Sequence, residues 1–465
     1  MKILIPQPKV RHLLDRASFG LGIKPGEEDV RGLFAASEKN IPLAAVEKPA
    51  FDMDPRAMKN DMSRKEIMKE ILGKSRQNLM KLNRAWMDRL IKEPSLRERM
   101  TFFWHGHFAC RTLVPYFAQQ QNNIVRTYSM GSFKSLLMAI SKDPAMLQFL
   151  NNQQNRKDHP NENFAREVME LFTLGRGNYT EEDVKEAARA FTGWGFNFAG
   201  EYQFRQRQHD FGSKKFRGKT KDFTGEQIIE SILDDKTTAR FITSKLYRHF
   251  ISDQAPPVKT IDAWSDSFYK SGYDIEKLMR TVLQSEEFNT ESNAGTKIKS
   301  PVELLITLLR HTGGEFENPQ GLVFLQRALG QILYYPPNVS GWPSGKAWID
   351  STSLAFRISL PMVLFGGMET DFQAPDDGDA NGLVKEGDGK RMLQCKVDWA
   401  MLANQFTKSS RDETMQVIEA FLLSRPTLKS NRELVSERAG QAPNDQEFVK
   451  RAFIGFMSLP EYQLC

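Results

Sequence analysis

The chain has 465 residues, of which 40% are hydrophobic and 26% charged, a composition that is ordinary for a folded protein. The formal net charge of +6 is small beside 64 basic and 58 acidic residues, so it permits an anionic partner without requiring one. Three widely spaced cysteines, Cys110, Cys395 and Cys465, exclude a disulfide framework and a CxxC metal pair.

The amino-terminal segment MKILIPQPKV contains three consecutive apolar residues before two prolines. A secretory signal needs an apolar stretch of about 7–15 residues, so we predict no signal here and a cytoplasmic protein. A periplasmic protein is the alternative, if a signal lies upstream of this start. No run of about 18 apolar residues exists, so we expect no membrane span.

Helical periodicity dominates the chain. Residues 64–92 carry apolar side chains at steps of three and four, which predicts the longest helix. Ser95 with Glu98 is typical of the capping box that begins the next helix. Further helices are predicted at 116–128, 130–141, 161–174, 180–192, 225–234, 238–251, 258–270, 275–285, 299–311 and 319–330.

The best candidate for β-structure is residues 200–220. Tyr202, Phe204 and Phe216 flank turn residues at 210–213, which predicts a single hairpin. Beyond it, 334–349 is a loop rich in Pro and Gly, followed by a helix at 351–364 and by further helices at 396–407, 411–423 and 445–457.

These elements predict an all-α protein with one large multi-helix body and a small β-hairpin insertion near 200–220. We assign residues 1–365 to the helical body and 366–391, which are polar and acidic, to a linker or loop. Residues 392–465 are predicted to form a C-terminal helical segment that packs on the main body.

Several long motifs follow one another along the chain. They are RHLLDRASFG at 11–20, RERMTFFWHGHFA at 97–109, KDPAMLQFLNN at 142–152, NENFAREVMELFTLGRGNYTEEDVKEAARAFTGW at 161–194, the HD pair at 209–210, KLYRHF at 245–250 and LGQILYYPPNVSGWPSGKAWI at 329–349. Over residues 10–365 the chain resembles the bacterial family called domain of unknown function 1800 (DUF 1800). The resemblance implies no established activity. It implies a sulfatase-like protein partner, because members often lie beside genes for such proteins, and many members carry export signals.

The segment 161–174 carries the densest set of candidate chemical groups. On an α-helix, Asn163, Glu167 and Glu170 fall within about 60° of one another, with Arg166 beside them. Two carboxylates on one stripe can ligate a divalent cation or do acid–base work. Glu167 and Glu170 are therefore candidate catalytic residues, and Asn163 and Arg166 candidate substrate-binding residues. A solvated helix face with an ion pair is the alternative.

His105 and His107 are candidate metal ligands, together with Glu167 and His209. Residues two apart on a helix point about 200° apart, so the two histidines converge only if the helix breaks near Gly106. Nitrogen and oxygen ligands of this kind suit Zn²⁺, Mn²⁺ or Fe²⁺ better than Mg²⁺. The alternative is one histidine on the helix face and one in the core, without a metal.

His209 and Asp210 are candidate catalytic residues at the proposed hairpin turn, where the alternative is an Asp that caps its own backbone. The stretch 205–221 holds seven basic residues, and we name Lys214 as a candidate substrate-binding residue that holds an anionic group. A solvated basic hairpin is the alternative, and nucleic acid is not expected because aromatic interleaving is thin. Trp342 either stacks on a substrate or pins the 334–349 loop to the body.

The acidic segment contains DGDANGLVKEGD at 377–388. Asp377, Asp379, Asn381 and Asp388 match ligand positions of an EF-hand-type Ca²⁺ loop, although Asp rather than Glu stands at the last position. A plain acidic linker is the alternative.

The absence of several known motifs reduces the number of reaction mechanisms to consider. The chain has no Walker A loop, GxGxxG, HExxH or GxSxG motif, which argues against nucleotide-driven, Rossmann redox, zincin and α/β-hydrolase mechanisms. Our first hypothesis is an enzyme, with or without a divalent metal, that hydrolyses or modifies a polar or anionic substrate. The alternative is a non-catalytic helical binding or assembly protein that works with a sulfatase-like partner.

Overall fold

The computed structural model describes residues 5–22, 30–48, 61–197, 199–369 and 393–465. Helices dominate these residues, and the β-structure consists of small two-stranded sheets, so the predicted fold class is confirmed. None of the helices in the described part of the chain combines the length and apolar character needed to cross a membrane.

The amino-terminal part of the chain contains nine α-helices and one π-helix among the described residues. They are α1 Pro8–Ala17, α2 Val30–Ala36, α3 Asp61–Lys92, α4 Leu96–His107, α5 Pro115–Tyr128, α6 Phe133–Ser141, α7 Pro144–Phe149, α8 Asn163–Glu167, the π-helix Val168–Thr173 and α9 Glu181–Ala190.

The remaining α-helices follow the β-structure, up to the carboxyl-terminal region. They are α10 Gly225–Leu233, α11 Lys236–Phe250, α12 Val258–Lys270, α13 Ile275–Gln284, α14 Glu286–Asn289, α15 Pro301–Thr312, α16 Gln320–Ala328, α17 Ser351–Phe365, α18 Trp399–Phe406, α19 Arg411–Leu422, α20 Lys429–Gly440 and α21 Asp445–Met457.

Two hairpins occupy the region predicted to form one. Strand β1 (Trp194–Phe196) pairs with β2 (Tyr202–Phe204), and β3 (Lys214–Phe216) pairs with β4 (Lys219–Lys221), both antiparallel. The second turn lies at Arg217 and Gly218, whose φ angles of 49° and 78° suit the two-residue hairpin turn. The predicted turn at 210–213 was therefore wrong, because these residues connect the two hairpins.

The segment 161–174, predicted as one α-helix, changes geometry in its middle. The N–H of Leu174 donates to the carbonyl of Met169 at 2.8 Å, five residues back, as in a π-helix. The hydroxyl of Thr173 donates to the Val168 carbonyl at 2.5 Å, which holds the wide turn in place. Glu170 lies inside this wide turn and Glu167 before it, so the two do not share a regular α-helical stripe.

The amino end of α4 shows a second departure from prediction. The hydroxyl of Ser95 accepts the N–H of Glu98 at 3.2 Å, as a cap should. The carboxylate of Glu98 does not return to Ser95, because it accepts the indole N–H of Trp86 at 2.9 Å and the guanidinium of Arg126 at 2.6 Å. The predicted capping box is therefore only half formed.

The C-terminal helices contact the helical body at several points. Strand β5 (Glu315–Phe316) pairs with β6 (Cys395–Lys396), and an isolated bridge joins Ile298 to Leu464. The guanidinium of Arg11 in α1 also donates to the carbonyl of Phe421 in α19 at 2.5 Å. Both ends of the described chain therefore meet around α1, and this contact positions the cleft described below.

Candidate ligand cleft

The predicted stripe on α8 and the π-helix is occupied by ion pairs. Arg166 donates to Glu181 at 2.7 Å and to Glu162 at 3.1 Å, and these carboxylates raise the pKa of the guanidinium. Glu170 accepts the hydroxyl of Tyr179 and the Nε–H of Arg176, the latter at 3.2 Å. Arg166 and Glu170 thus have protein partners, as the ion-pair alternative expects.

Glu167 differs from its neighbours. Its carboxylate is half-buried and forms no hydrogen bond with another described residue. Burial, followed by the nearby charge of Glu170, raises the pKa of Glu167. Asn163 is exposed at the start of α8, where its backbone N–H donates to the side chain of Asn161 at 3.0 Å. Glu167 is therefore the member of the stripe whose carboxylate has a raised pKa and accepts no hydrogen bond from a described residue.

His105 lies in the core rather than at a surface. The helix α4 continues through Gly106, so His105 and His107 face different neighbours. The Nε2 of His105 accepts the backbone N–H of Tyr334 at 3.2 Å, and burial lowers the pKa of His105 to about 3. The ring of Trp342 packs on His105 with centroids 5.3 Å apart, which pins the 334–349 loop to the body.

His107 connects α4 to the π-helix and to α11. Its Nδ1 accepts the Nζ–H of Lys245 at 3.1 Å, and its Nε2–H donates to the carbonyl of Phe172 at 3.1 Å. Lys245 also donates to the carbonyl of Leu171 at 3.2 Å. Burial lowers the pKa of Lys245 to about 8. Both ring nitrogens of His107 are thus engaged within the protein.

The region between the two hairpins is held by local contacts. The Nδ1–H of His209 donates to the carbonyl of Thr192 at 2.8 Å, and Asp210 pairs with Arg189 at 2.7 Å. The buried Nζ of Lys214 donates to the Gly212 carbonyl at 2.9 Å and to Asp222 at 2.8 Å. These contacts fit the structural alternative for His209, Asp210 and Lys214.

The candidate metal ligands belong to three different hydrogen-bond networks, around Tyr334, Phe172 and Thr192. Across the described ranges, no group of three or more His, Cys, Asp or Glu residues is placed to hold a metal ion. Metal binding by His105, His107, Glu167 and His209 stays a prediction. The predicted Ca²⁺ ligands Asp377, Asp379, Asn381 and Asp388 lie outside the described residues.

A large cleft lies elsewhere, where the two ends of the described chain meet. It has a volume of about 1140 Å³ and is lined by α1, the turn 289–294, α19 and the segment 423–426. Apolar side chains form much of its wall: Ile5, Pro6, Pro8, Ala294, Ala420, Leu423 and Pro426. Pockets for small organic ligands typically hold about 300–1,000 Å³ and have mainly apolar walls with a few polar groups.

His12 lines the floor of this cleft, where Arg11 and Glu419 are also buried. Its side chain is buried and its ring is tilted by 41° against Phe288, with centroids 4.7 Å apart. The Phe288 backbone interacts with the ring, but neither ring nitrogen forms a hydrogen bond of good geometry with a described residue. Burial, followed by the charge of Arg16 one helical turn away, lowers the pKa of His12 to about 4. At neutral pH the ring is uncharged, with one nitrogen as a donor and the other as an acceptor.

The rim of the cleft carries two exposed cations, Lys9 and Arg425, and one exposed carboxylate, Glu291. Lys9 is exposed there, and Arg425 donates to the backbone carbonyls of Glu291 and Ser292 at 2.8 Å rather than to a carboxylate. Arg11, in contrast, is paired with Asp15 at 2.9 Å. Lys9 and Arg425 are therefore cations without a carboxylate partner among the described residues, and they face a mainly apolar wall.

The sequence did not reveal this cleft, because segments far apart in the chain build it. A signal was present in α1, where the pairs Arg11 with Asp15 and His12 with Arg16 are spaced four apart, on one side of a helix. All four side chains are buried, although their polarity suggested a surface segment. A helix that buries four polar side chains beside Leu13, Leu14 and Ala17 is unusual enough to mark a site.

Comparison with known proteins agrees with the motifs. A family model described as "Protein of unknown function (DUF1800)" matches residues 12–464, and the match includes the C-terminal helices as well as the residues that carry the resemblance. No curated protein and no solved structure matches the chain. The chain therefore belongs to the DUF1800 family of proteins of unknown function.

Proposed function

We propose that this protein binds a small amphipathic organic anion in the cleft between α1, the turn 289–294 and α19. The observation that carries the proposal is His12, a buried imidazole without well-formed hydrogen bonds at the floor of a cleft of about 1140 Å³. A buried polar group that lacks a partner costs about 1–3 kcal/mol, and a ligand atom that hydrogen-bonds to it recovers part of this cost.

The charges around the cleft support an anionic ligand. Burial is the largest cause of the lowered pKa of His12, and the positive charges of Arg16 and Arg425 lower it further, against the opposite effect of Asp15. Lys9 and Arg425 add positive charge at the rim. The apolar wall, which includes Leu423 and Pro426, favours a ligand with a hydrocarbon or aromatic part.

A second candidate function is acid–base chemistry at Glu167. It is supported by the raised pKa of this carboxylate and by its position next to a π-helix, a feature frequent at functional sites. Three further proposals rest on the sequence: hydrolysis, dependence on a metal, and assembly with a sulfatase-like partner. Elemental analysis of untagged protein beside a Glu167→Gln/His209→Ala variant tests the metal, and co-purification tests the partner.

The cleft is tested with 8-anilinonaphthalene-1-sulfonate, an aromatic anion whose fluorescence rises in apolar sites. We expect saturable binding at one site in the wild type. Ala420 lines the cleft and is exposed, so Ala420→Trp fills the cleft without disturbing the core and weakens binding at least tenfold. Ala400→Trp, at an exposed position of α18, is the matched control and leaves binding unchanged. Equal binding by both variants would overturn the proposal.

A further inference from the structure

Behind the cleft wall lies a cluster of buried ionisable residues, which we call the cationic centre: Arg16, Arg99, His249, Lys297, Glu303 and Arg357. Arg16 comes from α1, Arg99 from α4, His249 from α11 and Glu303 from the first turn of α15. Each of the other members interacts electrostatically with Glu303.

Glu303 cannot neutralise this many cations. One of its oxygens, Oε2, accepts the backbone N–H of Ser300 at 2.7 Å in a capping box, and the other forms the ion pair with Arg99. Lys297 turns to Asp253 instead, at 3.1 Å. Both carboxylates are thus committed, while Arg16 and Arg357 form no ion pair with a described residue.

The two arginines without an ion pair use only part of their donors. Arg16 donates through Nη2 to the carbonyl of Asn293 at 2.8 Å, and Arg357 donates to Lys299 and Gln463. The buried Cys465 also lies near Arg16 and favours its charged form, as does Asp15, but Arg11 already holds the Asp15 carboxylate at 2.9 Å.

Several donors in the cationic centre point at no acceptor. The side chains of Arg16 and Arg99 are fully buried, and for both residues Nε and Nη1 lack a hydrogen-bond partner among the described residues. The same holds for Nη1 of Arg357 and Nε2 of His249. The ring of Phe19, 4.9 Å from the Arg99 guanidinium, provides a cation–π contact but no acceptor atom.

Uncompensated buried charge is strongly unfavourable, and native proteins pair buried donors with protein groups, water or ions. Guanidinium groups match oxyanions in particular, because their N–H donors bind two oxygens at once. We propose that the cationic centre binds a small inorganic oxyanion, phosphate or sulfate, which accepts hydrogen bonds from Arg16, Arg99 and His249.

This site is separate from the ligand proposed for the cleft, since none of the cationic members lines the cleft. The two are neighbours, however. Arg16 donates to the carbonyl of Asn293, and the next residue, Ala294, lines the cleft. Opening of the turn 289–294 would therefore give the anion a route to the centre.

The first test is thermal unfolding of the full chain at constant ionic strength, with chloride replaced by phosphate or by sulfate in the low millimolar range. We expect a saturable rise in Tm of about 2 °C or more, because an anion that binds only the folded state stabilises it. The anion that saturates at the lower concentration identifies the preferred ligand. A response equal to that of chloride would overturn the proposal.

Variants separate site binding from general salt effects. Arg16→Gln should lose the saturable response, while Arg240→Gln, which removes an exposed partner of Asp262, should keep it. Equal responses in the two variants would contradict the assignment. If Arg16→Gln does not fold, ion chromatography of denatured wild-type protein decides after equilibration with phosphate or sulfate and rapid desalting. About one equivalent of anion supports the site, and none overturns it.

Discussion

His107 and Phe172 are joined by a hydrogen bond of 3.1 Å between the ring Nε2–H and the backbone carbonyl. This bond links the end of α4 to the last turn of the π-helix. On its other side His107 accepts a hydrogen bond from Lys245 of α11, so one neutral imidazole connects three elements. The arrangement fixes the tautomer of His107 and holds the wide turn that contains Glu170.

Replacing His107 by Phe should destabilise the protein. The substitution keeps an aromatic ring in a pocket of aromatic side chains. It leaves the Phe172 carbonyl without its ring donor and the buried Lys245 ammonium with the Leu171 carbonyl as its remaining acceptor. We expect a loss of about 2–4 kcal/mol in the free energy of unfolding, measured by urea denaturation. His159→Phe, at an exposed position, is the control and should change stability by less than about 0.5 kcal/mol. Equal effects of the two substitutions would contradict the structural role of His107.

Lys245 should make stability depend on alkaline pH. Its pKa is about 8 in the folded protein, against 10.5 as the ordinary value, so between these pH values the unfolded chain binds more protons than the folded one. Stability from this group therefore rises as pH increases from about 8 to 10.5 and is constant below 8. The measurement is urea denaturation at pH 7.5 and 10 for wild type and Lys245→Met. An identical pH response in both proteins would show that Lys245 is not responsible.

Glu167 and Glu170 should respond differently to the same chemical change. Glu167→Gln removes a half-buried charge next to another carboxylate, so we expect stability at pH 7 to stay the same or to rise by up to about 1 kcal/mol. Glu170→Gln weakens the contacts to Tyr179 and Arg176 and should cost about 1–2 kcal/mol. An unfolded Glu167→Gln protein would instead mark this carboxylate as a structural group.

The helical body was predictable where helices bury a regular apolar face. The helix predicted at 275–285 is observed at Ile275–Gln284, with apolar side chains buried at steps of three and four. Helix α1 was not predicted because Arg11, His12, Asp15 and Arg16 occupy positions that apolar residues usually fill. Leu13, Leu14 and Ala17 are buried as well, but the polar residues buried between them interrupt any apolar periodicity.

The candidate site was harder to predict for a different reason. His105, His107 and His209 were recognised as unusual, but each ring nitrogen that forms a bond to the backbone uses a carbonyl or N–H that any residue could supply. Such partners leave no trace in a sequence pattern. The cleft, likewise, joins residues near 12, 290 and 420, and only folding brings these segments together.

The measurement that tests the cleft most directly is hydrogen–deuterium exchange with and without 8-anilinonaphthalene-1-sulfonate. We predict slower exchange on binding in three separate segments at once, 5–17, 286–294 and 416–426, which surround the cleft. We also predict no change at 161–174 or 205–221. Protection confined to 161–174 or 205–221, with the three cleft segments unchanged, would contradict binding in the cleft. It would instead place the binding site at the Glu167 stripe or at the basic hairpin.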